Sequence, residues 1–358
     1  MGNRKVLNVV ATLDVGGVEN MMVNLVREGL RTDFATCTGT EGYYEEEVKK
    51  LGSRVYRLTK RSKSIVRHHV DLYKILKKGR YEVVHLHTQN AFFTSLHALV
   101  ARLAGVDRVI SHSHNTKDWR KNSSFLHKLS ICALNTLVDV KLACGEGAAE
   151  WLYGKKDGVS IIPLPIDCSK FMYDEKIRRY ERERLGLKGK KVFICVGRFS
   201  DVKNQMFLVD VFNDVVKYDN NCVLLFVGDG ENRVEVEEKV TEYGLSENIK
   251  FLGIIGDVYS KMIASDVFLL PSLYEGFPTV VLEAVSTGLP CLVSDKISSE
   301  VRIGDYVKRV CLEKEEWVKR VLSVSKLCAE KRLSGNELVA LEYDVRNVKS
   351  IVEKIYKR

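Results

Sequence analysis

At 358 residues the chain is long enough for two domains, and 45% apolar content supplies two hydrophobic cores. It has no apolar run of 18 residues, which excludes a helical bilayer crossing but not a protein that lies on a membrane. The formal net charge is +9, and the nine cysteines are scattered with no Cys-x-x-Cys pair, as expected for reduced, packed thiols of a cytoplasmic protein without a zinc site.

The opening residues carry no secretory or myristoylation signal and run directly into a strand, Val6 to Ala11. Gly16 and Gly17 then open a helix whose Val18, Met22, Leu25 and Val26 recur at helical spacing. A glycine pair between a first strand and a first helix lets backbone approach a ligand. The alternative is a turn that only needs positive φ. The third glycine of a dinucleotide fingerprint is missing. Strand and helix patterns alternate from there: strands at Phe34–Cys37, Arg54–Leu58, Val83–His87 and Arg108–His112, with helices around Glu45–Leu51, Ile65–Lys78 and Phe92–Leu103. Such alternation predicts a parallel sheet covered on both faces.

Between Arg54 and Arg80 stand ten Lys or Arg and one Asp, a net +9 that equals the charge of the whole chain. The block reads either as a solvated face or as a surface for anionic lipid or a phosphate-bearing acceptor. With few aromatic residues for stacking it suits nucleic acid poorly. All eight histidines lie between His68 and His127. His85 and His87 end one strand, His112 and His114 another, each pair on one side of its strand. A metal cluster is one reading; neutral contacts or packing are the more ordinary one, and no metal is expected. From Trp119 to Val140 a basic start leads into an apolar helix. Strands at Val140–Cys144 and Val159–Ile162 complete a first domain, 1–165.

Pro163-Leu164-Pro165-Ile166-Asp167 makes a stiff connection. A second domain, 166–340, has strands at Val192–Val196, Val223–Val227, Ile249–Leu252, Val267–Leu270 and Cys291–Ser294. Gly228-Asp229-Gly230 ends one of them, as a nucleotide contact or a tight turn. A closing amphipathic helix in 341–358 presents Val348, Ile351, Val352, Ile355 and Tyr356, and is expected to cross back to the first domain.

Two stretches of the second domain carry chemistry. In the first, a strand ends at Gly197, followed by Arg198 and then Lys203 at the start of the next amphipathic segment. The second reads DVFLLPSLYEGFPTVVLEAVSTGLP from Asp266 to Pro290. Pro278 suits the first position of a helix running to about Thr287, with Gly288 ending it. Glu275 then lies in the entering loop and Glu283 just over one turn inside. Free amides of Thr279 and Val280 at the positive end of the helix suit a phosphate, Gly276 admits close backbone approach, and two carboxylates suit hydroxyl groups. Taken singly, each feature also fits an ordinary strand, turn and helix.

Together, Gly197-Arg198, Lys203, Pro271, Ser272, Glu275, Gly276, Phe277, Pro278 and Glu283 resemble the donor site of retaining GT-B glycosyltransferases, family 4 in particular. The resemblance is strongest from about Val192 to Asp295. It implies two Rossmann-like domains with a cleft between them, and a metal-independent transfer needing no cofactor. A hexose or N-acetylhexosamine would move from a nucleoside-diphosphate sugar, UDP first, to a saccharide acceptor, plausibly lipid-linked, in surface polysaccharide assembly. By resemblance Arg198 and Lys203 grip the diphosphate, Glu275 the sugar hydroxyls and Glu283 the ribose. Phe277, Pro278, Thr279 and Val280 line the donor site, Gly16 and Gly17 face its phosphate, and His114, with His112 and Asn115 beside it, meets the sugar. The expected location is cytoplasmic, with a peripheral contact at the inner membrane face. Where the family has Asn-Gly-Ile-Asp, this chain has Leu164-Pro165-Ile166-Asp167. A sugar-nucleotide epimerase and a silent partner subunit of another transferase are the alternatives.

Overall fold

The computed structural model describes residues 4–14, 16–87, 90–114, 125–275, 277–297, 306–324, 339–340 and 342–357. They form two units, 1–166 with 343–358, and 167–342. In the first unit the elements run β1 (Val6–Val10), α1 (Gly17–Arg27), β2 (Asp33–Thr36), α2 (Glu45–Lys50), β3 (Val55–Arg57), α3 (Ile65–Gly79), β4 (Val83–Leu86), α4 (Ala91–Leu103), β5 (Arg108–Ser113), α5 (Phe125–Leu137), β6 (Val140–Ala143), α6 (Glu146–Tyr153) and β7 (Ser160–Ile161). All pairings are parallel, in the order β3-β2-β1-β4-β5-β6-β7. Strands β1 and β4 are buried along their whole length, as a sheet covered on both faces requires.

The helices start where their side chains supply caps. The Ser64 hydroxyl accepts from the Arg67 amide ahead of α3, and the Asn90 side chain accepts from the Phe92 amide ahead of α4. The closing helix, Val345–Lys357, packs on α1 and belongs to this unit. It buries Val345, Val348, Val352 and Tyr356, whereas Ile351 is 44% exposed. The apolar stripe is thus narrower than the five-residue face expected from the sequence, and Ile351 lies off it. The chain leaves this unit beside the point where it returns: Ile166 donates to the Tyr343 carbonyl and accepts from the Val345 amide, both at 2.9 Å.

The second unit contains a 3-10 turn (Cys168–Phe171), α7 (Glu175–Arg184), β8 (Lys191–Val196), α8 (Gln205–Tyr218), β9 (Cys222–Val227), α9 (Arg233–Glu242), β10 (Ile249–Phe251), α10 (Val258–Ala264), β11 (Val267–Leu270), α11 (Thr279–Ser286), β12 (Cys291–Ser294), β13 (Val307–Val310) and α12 (Lys314–Val324). Its parallel sheet is ordered β10-β9-β8-β11-β12-β13. Phe193, Phe199, Phe212, Phe226 and Trp317 fill its core. Half-buried Asp266 accepts from Arg178 at 2.5 Å, from Arg182 at 3.3 Å and from the Val192 amide at 2.8 Å, tying α7 to the start of β8. Both sheets are doubly wound and Rossmann-like. In the second the chain turns from one direction to the other between β8 and β11, the switch point at which open α/β sheets bind ligands. No helix among the described residues is long and apolar enough to cross a membrane.

Candidate active site

At the carboxyl edge of the second sheet the strand ends are laced together. Gly197 donates to the Val227 carbonyl at 2.9 Å, Phe199 to Asp229 at 3.0 Å and Gly228 to Gly253 at 2.9 Å. Two glycines permit this approach. Gly228 holds φ +133°, and a Cβ there would run into the Gly197 carbonyl oxygen; a Cβ on Gly230 would stand 2.7 Å from the Phe199 nitrogen. The Gly228-Asp229-Gly230 turn therefore exists to let one loop seat the other. What it seats is Arg198. Buried Gln205 donates to the Arg198 carbonyl at 2.9 Å, fixing the backbone, while the guanidinium is 74% exposed and pairs with Glu231 at 2.9 Å.

Lys203 lies across Gly197: a Cβ on that glycine would meet Lys203 Cε at 3.3 Å. Its ammonium reaches Glu275 Oε1 at 2.6 Å, and the Ser272 hydroxyl donates to the same oxygen at 2.7 Å. The two loops that carry this pair are held by their backbones. The Leu273 amide donates to the Val202 carbonyl at 2.8 Å, and Asn204, in the left-handed region at φ +56°, donates its side-chain amide to the Pro271 carbonyl at 3.3 Å. Residues 72 positions apart in sequence thus meet at the switch point. An ammonium has three donors and Glu275 takes one, which leaves two for another anion.

Helix α11 begins one residue later than the sequence suggests. Pro278 is the flanking residue, with ψ +83°, and Thr279 is the first helical one. Its amide is not free either: it donates to the Phe277 carbonyl at 3.0 Å, a three-residue turn, and the Val281 amide donates to Pro278 at 3.0 Å. Of the two amides expected to meet a phosphate, only that of Val280 is left without a backbone acceptor among the described residues. The far end matches expectation. Gly288, at φ +77°, ends the helix with its amide on Val285 at 2.8 Å, and the Leu289 amide is on Ala284 at 3.0 Å. Glu283, one turn inside, is partly buried with no partner among the described residues, and burial pushes its carboxyl up to about 7.

In the first unit Gly16 is extended, at φ −167°, and Gly17 is helical, so neither needs the positive φ that a simple turn would have implied. A Cβ on Gly16 would strike the Glu19 carboxylate, and one on Gly17 would touch Leu164 at 3.5 Å. Asp14, held by the Thr12 hydroxyl at 2.7 Å and the Tyr43 amide at 3.1 Å, adds a second carboxylate close to Glu19, whose carboxyl is raised by burial and by Asp14. Two acids at this turn make it a poorer seat for a phosphate than the sequence alone suggests.

The strand-end histidines are all buried and do converge. His87 Nε2 donates to Asn8 Oδ1 at 2.8 Å, and the Asn8 side-chain amide in turn donates to the Thr32 hydroxyl at 2.5 Å. With that nitrogen protonated, His87 Nδ1 accepts from His114 Nε2 at 2.9 Å. His85 Nδ1 meets the Tyr356 hydroxyl at 2.8 Å. His112 stacks against His85 with centroids 5.5 Å apart and is held near 3 by burial; burial likewise drives His114 far below its ordinary value. Burial disfavours the charged form of these rings, and His85, His87 and His112 each bring a ligand atom within 4.8 Å of the others, the convergence that the metal reading of the strand-end pairs requires. His114 Nδ1 is left without a partner among the described residues. Asn115 and Gly276, both expected at the site, lie outside the described residues.

Ser272 and Glu231, which orient Glu275 and Arg198, went unassigned in the sequence because nothing local marks a residue that acts through another. Ser272 does stand within the Pro271-to-Glu283 motif; Glu231 follows the Gly228-Asp229-Gly230 turn, which hints at it.

Residues 15–170 match the model of Glycosyltransferase Family 4, and residues 177–335 that of Glycosyl transferases group 1. EpsF of Bacillus subtilis is 31% identical over 374 residues, 99% of this chain and 96% of that one. The UDP-Gal:α-D-GlcNAc-diphosphoundecaprenol α-1,3-galactosyltransferase of Escherichia coli is 35% identical over 63% of this chain and 61% of its own length. The capsular polysaccharide biosynthesis glycosyltransferase CapH of Staphylococcus aureus is 26% identical over 98% of each. Among solved structures, Anabaena HepE in complex with UDP and glucose superposes with a TM-score of 0.82 at 16% identity, over 99% of each chain.

Proposed function

The chain belongs to glycosyltransferase family 4, with the GT-B fold, and is a glycosyltransferase of polysaccharide biosynthesis; from that premise we propose that it moves a hexose or N-acetylhexosamine from a UDP-sugar to a lipid-linked saccharide, with retention at the anomeric carbon. The observation that carries the proposal is the Lys203–Glu275 pair at 2.6 Å beside Arg198, at the switch point of the second sheet. A nucleoside diphosphate needs cations that follow its charge, and a sugar needs an acceptor for its hydroxyls. Here the cation and the carboxylate are already oriented by each other and by Ser272.

In this reading Arg198 and the two spare donors of Lys203 hold the diphosphate, and the Val280 amide adds a further donor at the start of α11. Glu275 accepts from sugar hydroxyls and Glu283 from the ribose. As the glycosidic bond breaks, negative charge grows on the leaving diphosphate, and fixed cations stabilise it more than they stabilise the bound donor. Loss of one such group lowers the rate by about 10²–10³-fold. The acceptor hydroxyl attacks from the face the diphosphate leaves, and a leaving phosphate oxygen takes its proton. Side-chain cations then supply the charge a divalent ion would otherwise provide, so added Mg²⁺ leaves the rate unchanged.

The UDP assignment draws on the galactosyltransferase and on the HepE complex, and the lipid-linked acceptor on the galactosyltransferase alone. The face of α3 fits a lipid-borne acceptor: Val66, Val70 and Tyr73 are exposed among Lys63, Arg67, Lys74 and Lys77. The deciding experiment is thermal-shift titration with UDP, GDP and ADP on the wild type and on Arg198→Ala, followed by transfer from the selected UDP-sugars and NMR of the product anomer. Saturable stabilisation by UDP, weakened in the variant, is the expected result. No stabilisation by any diphosphate, or an inverted anomer, overturns the reading.

A further inference from the structure

Away from the residues assigned to the donor, Cys37, just beyond β2, meets His68 of α3 and His97 of α4. All three are buried, and one ligand atom from each lies within 4.8 Å of the others. Their protonation is fixed by their neighbours. His68 Nδ1 is 2.7 Å from the Thr59 carbonyl, which can only accept, so that nitrogen carries the hydrogen and Nε2 is a bare lone pair. His68 Nε2 faces His97 Nε2 at 2.9 Å, and the rings stack with centroids 5.2 Å apart. A hydrogen bond between these two nitrogens does not satisfy the group, because His97 Nδ1 is then buried with no partner among the described residues. His69 repeats the pattern: its Nδ1 donates to the Ile65 carbonyl at 2.8 Å, leaving a buried Nε2 with no partner, and its ring centroid is 5.3 Å from that of His97.

We infer that Cys37, His68 and His97 form a binding site for one divalent ion of the zinc type, with water available as fourth ligand. One sulfur and two imidazole nitrogens are a donor set that zinc prefers and that Mg²⁺ and Ca²⁺ avoid. The carbonyl of Thr59 plays the part of the outer partner that fixes a ligating imidazole's tautomer. Binding forms a metal–sulfur bond and releases the thiol proton, since the thiolate is the ligand. The charged groups that face the cluster are Arg61, stacked on Phe93 at 4.2 Å, and Asp71, bonded to the Thr59 hydroxyl at 2.5 Å. The thiolate and Asp71 offset the charge of the ion, and Arg61 leaves the cluster with one net positive charge. The site joins the end of β2 to α3 and α4, so an ion there ties the basic helix to the sheet.

The test is titration of the reduced, chelator-treated full chain with Co²⁺ as the optical probe. The expected result is one equivalent, with a thiolate-to-cobalt charge-transfer band and the strong visible bands of a tetrahedral site. Cys37→Ser removes the charge-transfer band, and His97→Ala weakens binding by roughly tenfold or more. His112→Ala leaves both unchanged, which separates this site from the other histidine cluster. Zn²⁺ raises the melting temperature of the wild type and not of Cys37→Ser, a near-isosteric change that carries the test if His97→Ala folds poorly. No tetrahedral cobalt spectrum, a charge-transfer band that survives in Cys37→Ser, or binding that depends on His112 and not on His97, overturns the inference.

Discussion

Replacing Gly228 by alanine tests whether the donor-side rim is built by the approach of two loops. The residue holds φ +133°, where a side chain is strained by about 1–3 kcal/mol. The new Cβ would also stand well inside van der Waals contact of the Gly197 carbonyl oxygen, so the loops must part. Parting them strains the Gly197–Val227 and Phe199–Asp229 hydrogen bonds, at about 1 kcal/mol each. The expected loss is about 3–5 kcal/mol by urea unfolding, with a further weakening of UDP binding because Arg198 rides on the displaced loop. Gly244→Ala is the control. Gly244 holds φ +67° with nothing within 4 Å of the added carbon, so it carries only the backbone cost of about 1–2 kcal/mol. Equal losses in the two variants, or unchanged UDP affinity in Gly228→Ala, would refute the reasoning.

In a double-mutant cycle, Lys203→Met and Glu275→Gln should couple in apo stability by about 1–2 kcal/mol, since both partners are largely buried; additive effects would dissolve the pair as an energetic unit. Asp266→Ala leaves two half-buried guanidiniums with carbonyl acceptors but no counter-ion, and the Val192 amide without its acceptor, and is expected to destabilise by about 3–5 kcal/mol; a melting temperature within two or so degrees of wild type would contradict this. Glu283 has a folded-state pKa near 7, above its ordinary 4.5, so the folded chain binds the extra proton; its contribution to stability is full below about 4.5 and lost as pH rises through about 7. Glu283→Gln should flatten that slope, and a slope unchanged in the variant would assign it elsewhere. Reversing Lys74, Lys77 and Lys78 to Glu should abolish cosedimentation with vesicles containing phosphatidylglycerol, while wild-type chain that ignores such vesicles would remove α3 as a membrane face.

Most of the architecture was legible because the two sheets are buried on both sides. Strands such as Val267–Leu270 and Cys222–Val227 read as unbroken apolar runs between helical patterns. The elements that escaped notice are those whose sequences lack such runs. In β13 an edge position leaves Lys308 and Arg309 exposed, and α7, EKIRRYERER, has almost no apolar stripe because it is held by Arg178 and Arg182 on Asp266. At the site, the motif from Pro271 to Glu283 located both glutamates. It could not show that Lys203 and Glu275 bind each other, nor that the Thr279 amide is spent on Phe277, because both depend on how a loop folds back.

The pairing of Ile166 with Asp344 has a consequence for synthesis. Residues 167–342 are inserted between the bulk of the first unit and its closing helix, so the ribosome delivers them before the helix that covers α1. Since domains fold as units while the chain emerges, the inserted unit can reach its native state on the nascent chain. The first unit must wait, with the hydroxyl of Tyr356 missing from His85, until the helix Val345–Lys357 has been made.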